Sequence, residues 1–279
     1  MNETLADFAV DIVQKRIGLA INATLNPVEP TFLDLCPSDV HPNESFTVRF
    51  SPGWRTAEVE FIPGKFSAPL IAQMGMAGFD SQSVLVAFAH ALSSRKSRVT
   101  FRINGVDVSA FDSTKWPGSW SRVELLVRSA PQVINQDDIA QMRRLIVELV
   151  IPVFGMVVAL VGVEETEACV EGEVEGAPVW SLATRYERKK INREACIQLK
   201  GLRCAACGFD FGAFYGQLGD GYVEVHHTTP LSDLGPGYRI NVSTDLVPLC
   251  ANCHAMVHRE DPPISVSRLA GLITGRRET

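Results

Sequence analysis

Apolar residues recur at helical spacing across residues 2–18, where Leu5, Phe8, Ala9, Ile12, Val13 and Ile17 form one stripe. Glu3 opens this segment and Lys15 and Arg16 close it, the order that a helix dipole favours. The period then falls to two. Phe46, Val48 and Phe50 alternate across 45–51, as do Val59 and Phe61 across 57–62, predicting two strands joined around Pro52-Gly53-Trp54. Pro27, Pro30, Pro37 and Pro42 punctuate residues 22–42, which are expected to be irregular. Residues 69–76 and 81–93 read as helices. Asn104-Gly105 lies between alternating runs at 97–103 and 106–108, a strong hairpin signal. Residues 123–127 read as a strand, and Asn135 is expected to cap a helix from Gln136.

Residues 146–163 are almost wholly apolar but contain Glu148 and Pro152. They read as a buried core helix broken at Pro152, followed by a strand around 157–163. A membrane span needs about 20 apolar residues, so the core reading is preferred and no membrane partner is expected. The resulting fold class is α+β: a mixed domain over 1–165, a linker over 166–179 and a smaller domain over 180–279. Six glutamates and two glycines in 164–176 suit a hinge, with an acidic edge strand as the alternative. Trp116 and Trp120 either grip a ligand or, as is commoner, pin their loop to the core.

Charge separates the two parts further. The chain of 279 residues has net charge −6, which argues against a protein that coats DNA through a general basic surface. Residues 1–180 hold 14 Lys and Arg against 22 Asp and Glu, whereas residues 181–279 hold 12 against 10. The expected helix over 180–202 has a basic face of Arg185, Arg188, Lys189, Lys190, Arg193 and Lys200, with Arg203 beyond. Such a face either contacts phosphates or is simply solvated.

The readable chemistry lies in residues 203–260, which contain four of the six histidines and four of the seven cysteines. Cys204-Ala-Ala-Cys207 and Cys250-Ala-Asn-Cys253 are two CxxC pairs separated by 42 residues. Two tight turns of paired thiolates suit one closed Zn²⁺ site, whereas a redox dithiol usually stands alone. Cys36, Cys169 and Cys196 remain, a scattered odd number typical of a reducing compartment. With no basic or apolar leader at Met1-Asn2-Glu3-Thr4, a cytoplasmic location is expected. His254 and His258 share a face if helical, so both imidazoles can meet one metal. His226 and His227 lie on a predicted strand and point to opposite sides, so one can ligate while the other faces water or substrate. Glu224 is on the side of His226, where it either orients a metal ligand or faces solvent. His41 reads as a loop histidine and His90 as a structural one.

The motifs Glu224-x-His226-His227, Asp245-Leu-Val-Pro-Leu-Cys250-x-x-Cys253-His254 and His258 resemble those of HNH, or ββα-metal, endonucleases, especially McrA-like ones with a four-cysteine zinc. The resemblance covers residues 203–260. It implies a small zinc-stapled ββα-metal domain, with His227 as general base and His226, His254 and His258 around a catalytic divalent metal (Mg²⁺, Mn²⁺, Ni²⁺ or Zn²⁺). Asp245 stands where the family has its middle Asn, adding a negative charge there. DNA is the implied partner, which favours phosphate contact by the basic helix, and restriction of modified or foreign DNA is the implied setting. Family members that cut both strands often pair, so a homodimer is a further expectation. Nothing in 1–165 carries recognisable chemistry; that domain is expected to choose the target or to answer a regulatory partner or signal. The rival readings are a nuclease silenced until that domain is engaged and a zinc-stapled module that binds DNA without cutting it.

Overall fold

The computed structural model describes residues 4–26, 31–161, 185–228, 240–260 and 262–277. The expected linker at 166–179 and Cys169 lie outside them, as does the start of the basic helix at 180–184. The chain divides into two compact units, Met1–Glu194 and Ala195–Thr279.

The first unit is a seven-stranded antiparallel sheet with helices. In chain order its elements are α1 (Leu5–Ile17), β1 (Ile21–Asn26), β2 (Phe32–Pro37), β3 (Phe46–Pro52), β4 (Ala57–Pro63), α2 (Ala68–Gly75), α3 (Phe79–Ser94), β5 (Arg98–Ile103), β6 (Val106–Asp107), β7 (Val123–Arg128), α4 (Ile139–Leu145) and α5 (Ile151–Val161). The sheet order is β1-β2-β3-β4-β7-β5-β6, an α+β architecture. Thr4 and Asp7 form a reciprocal cap at the start of α1. Strand alternation sorts the two sheet faces. Leu33, Leu35, Phe46, Val48, Phe50, Val59, Phe61, Leu125 and Val127 are buried on one side. On the other side, residues opposite one another in register carry complementary charges. Asp34 pairs with Arg49 at 2.7 Å, Glu58 with Arg128 at 2.6 Å, and Arg102 with both Asp107 at 2.7 Å and Glu124 at 3.5 Å.

The structure departs from the expected elements in three places. Residues 21–26 and 32–37 are strands rather than irregular chain. The prolines misled because Pro37 closes β2 rather than interrupting it, a position where a missing N–H is tolerated. The helix after β7 starts at Ile139, capped by Asp138, whose side chain accepts from Gln141 N–H at 3.0 Å. Asn135 instead accepts from Asp137 N–H within the preceding turn. Finally, 157–161 is helix, not strand: α4, a wide turn of π-helix at Ile146–Val150, and α5 run on continuously. All eleven residues of α5 are buried, so the run has no polar face from which a period can be read. Pro152 is accommodated just after the π turn, where the helix hydrogen-bond ladder is already interrupted.

The stretch Ile139–Val161 is long and apolar enough to cross a membrane by length and composition, but 83% of its most apolar window is buried inside the protein. It packs on α3, and the contact is close because Gly155 lies against the Phe88 ring. A Cβ at Gly155 would sit 2.2 Å from a ring carbon. Phe88 is fully buried and has no room to retreat. Gly155→Ala should therefore destabilise the first unit by about 1–3 kcal/mol despite the better helix propensity of Ala. Urea denaturation followed by circular dichroism would measure this, and an unchanged or raised midpoint would refute the packing argument.

Candidate metal centres

The second unit is built on few apolar residues. Its elements are the end of α6 (Arg185–Lys200), α7 (Phe211–Tyr215), β8 (Glu224–His227), α8 (Val242–Asp245), β9 (Leu246–Leu249), α9 (Ala251–Val257) and α10 (Val266–Arg277). The buried cluster comprises Cys204, Leu249, Cys250, Cys253, Val257 and Leu269. Phe209 and Phe211 pack against it, but Phe214 and Tyr215 stand 69% and 53% exposed.

Each CxxC pair folds on itself. In the first, Gly208 N–H donates to Cys204 C=O at 2.8 Å, and Ala205 N–H donates to Pro248 C=O of β9 at 2.9 Å. In the second, Cys250 caps α9, its sulfur accepting from Cys253 N–H at 3.5 Å. The four sulfurs lie within 4.8 Å of one another, with Cys207 and Cys250 at 3.7 Å. A tetrahedron with Zn–S arms of about 2.3 Å has edges of roughly 3.8 Å, so four sulfurs at this spacing fit a zinc site. The thiols are free rather than disulfide-bonded. Burial pushes Cys204 up, but the N–H groups of Cys250, Cys207 and Ala206 outweigh it and hold the thiol at about 7. Burial and sulfur neighbours raise Cys253, and burial raises Cys250. Thiolates crowd each other here; a dication relieves that repulsion.

The histidines converge separately. β8 and β9 pair antiparallel, placing His226 opposite Val247 and His227 opposite Leu246. α9 follows immediately and presents His254, with His258 at its end. Ring nitrogens of His226, His254 and His258 lie within 4.8 Å of one another. Their ring centroids are 5.2, 4.9 and 5.1 Å apart, nearly an equilateral triangle. Three convergent imidazoles suit a borderline divalent cation. His226 is 5% exposed, and burial, then the fields of His254, His258 and His227, lower its pKa to about 4. It therefore offers a lone pair at neutral pH. Glu224 reaches across to α9, where its Oε2 accepts from Nδ1 of His254 at 2.5 Å. That bond leaves Nε2 of His254 as the ligating nitrogen. Tyr222, which the sequence did not single out, donates its hydroxyl to the other Glu224 oxygen at 3.2 Å.

His227 is half-buried on the side of β8 opposite His226. Asp245 accepts from Asn241 N–H at 2.8 Å and Thr244 Oγ1 at 2.6 Å, and its carbonyl accepts from Thr228 N–H at 2.8 Å. Its carboxylate thus braces its own turn, and its carbonyl braces the strand end that carries His227. Among the basic residues, the side chains of Arg185, Arg188 and Lys189 are not among those described. Lys190 and Arg193 are half-buried, and Lys200 Nζ donates to Leu246 C=O at 2.5 Å. Arg203 is well exposed, 3.7 Å from Asp210.

No protein-family model matches the chain, and no solved structure matches it. A 96-residue stretch is 31% identical to the type IV methyl-directed restriction enzyme EcoKMcrA of Escherichia coli (strain K12). The match takes in 34% of this chain and 33% of that protein. The chain therefore matches about a third of the length of this curated relative.

Both centres can be probed directly. Cys250→Ser or strong chelation should release one zinc per chain and unfold the second unit, because half of its buried core is cysteine; full retention of its circular dichroism would contradict this. In NMR titration without added divalent metal, the His226 ring should stay flat between about pH 7.5 and 5.5, where an exposed imidazole titrates near 6.5. A His226 midpoint near 6.5 would mean that its burial is not maintained.

Proposed function

We propose that this protein is a metal-dependent DNA endonuclease, with its chemistry in the second unit and modified or foreign DNA as its target. The observation that carries the reading is the triangle of His226, His254 and His258 with a fourth histidine, His227, turned to the other side of the same strand. This is the division of labour expected of an HNH-type site. Three imidazoles hold a cation, and the fourth is left for the reacting water.

A divalent cation bound there would neutralise the scissile phosphate and the leaving 3′-oxygen. His227 takes the proton of the attacking water, a role for which a neutral imidazole near pH 7 is suited. Glu224 keeps His254 in its ligating tautomer. Asp245 supports the strand end beside His227 through the Thr228 hydrogen bond, replacing the amide expected at that position. The four-cysteine site would be structural. The basic residues of α6 and Arg203 would meet phosphates, and the first unit would select the target or gate the activity. Methyl-directed restriction by the relative supports testing methylated DNA first.

The test is cleavage of methylated and unmethylated plasmid by wild type and His227→Ala with Mg²⁺, Mn²⁺ or Ni²⁺. His227→Ala should reduce the rate by about 10²–10⁴-fold, the range for losing a general base, while keeping its zinc. Equal cutting by both proteins removes His227 from the chemistry; no cutting by wild type under any condition removes the nuclease reading.

A further inference from the structure

We propose that Tyr222 is a positioning residue for the histidine centre, and that it ties this centre to the cysteine-bound core. The inference rests on the reading of His226, His254 and His258 as a metal site, and it concerns how that site is held in shape. The relay is continuous. Phe211 packs against the cysteine cluster, and the Tyr222 ring meets Phe211 edge-on at 4.7 Å and 85°. The Tyr222 hydroxyl donates to Glu224 Oε1 at 3.2 Å, and Glu224 Oε2 accepts from His254 Nδ1 at 2.5 Å.

Each link removes a freedom that the next one needs removed. Glu224 is about one-third exposed, and a carboxylate so placed turns readily about its last torsion. The Tyr222 hydroxyl engages one oxygen and so directs the other at His254. That bond in turn fixes the imidazole plane and the nitrogen left for a cation. Tyr222 itself is held at its ring by Phe211 and at its backbone by Tyr222 N–H donating to Gly219 C=O at 3.2 Å. The turn that delivers it is tight: a Cβ at Gly219 would sit 2.1 Å from the Phe211 carbonyl oxygen. The chain therefore reaches Tyr222 by passing directly over α7, which orients the phenol toward β8. No catalytic contact is assigned to Tyr222; it acts through Glu224.

The test uses the full-length, zinc-loaded protein and Ni²⁺ as probe for the histidine centre, with affinity from calorimetry and zinc content from elemental analysis. Tyr222→Phe keeps the ring and loses only the hydroxyl. It should weaken Ni²⁺ binding by about tenfold, at the low end for residues that support a ligand, with one zinc retained per chain. Wild-type affinity in Tyr222→Phe overturns the inference, including the case in which only Tyr222→Ala binds weakly, since the ring alone would then matter. Loss of zinc in Tyr222→Phe also overturns it, because the effect would be general unfolding. If the wild type takes up no second metal, this inference and the metal-dependent reading fall together. If wild type never cuts DNA yet Tyr222→Phe weakens Ni²⁺ binding, the nuclease reading falls and the positioning role stands.

Discussion

Four sulfur atoms brought within 4.8 Å of one another are the constraint on which the second unit depends. They are contributed by segments far apart in sequence, and three of their cysteines make up half of the buried cluster along with Leu249, Val257 and Leu269. A core this thin supplies little hydrophobic stabilisation. Thiols crowded in a pocket also resist joint ionisation, as the raised Cys250 and Cys253 show. A cation at their centre turns that repulsion into attraction and cross-links the first CxxC turn to β9 and α9. The histidine triangle inherits its geometry from this link, because α9 begins at the capping Cys250 and carries His254 directly after Cys253.

The first unit is held by different means. Its sheet buries one row of alternating side chains under helices, and α5 is enclosed on every side. Its solvent-facing row matches charges across neighbouring strands, so residues that stabilise little individually also penalise register slips. Among its described residues no cluster of metal-ligating side chains occurs.

Much of this was legible in the sequence where local spacing determines geometry. CxxC pairs make their own turns, and residues four apart on a helix share a face, so spacing alone pairs His254 with His258. Alternation revealed β3, β4, β5 and β7. It failed for β1 and β2, where prolines at strand ends resembled breakers, and for 157–161, where uniform burial erased the period. Tertiary partners were less legible. Strand parity placed Glu224 beside His226, yet its carboxylate bonds His254, thirty residues away. Asp245 read as an added charge in the place of the family's middle Asn, and its carboxylate is engaged by its own turn.

The adjacency of Cys253 and His254 has a consequence for what evolution or engineering can alter. An α-helix advances about 100° per residue. One residue inserted between them would swing both histidines about a quarter-turn around α9 while leaving the sulfur cluster intact. The two centres are therefore phase-locked, like teeth cut on one shaft. An insertion outside Cys250–His258 leaves the angle between sulfur and imidazole on α9 untouched.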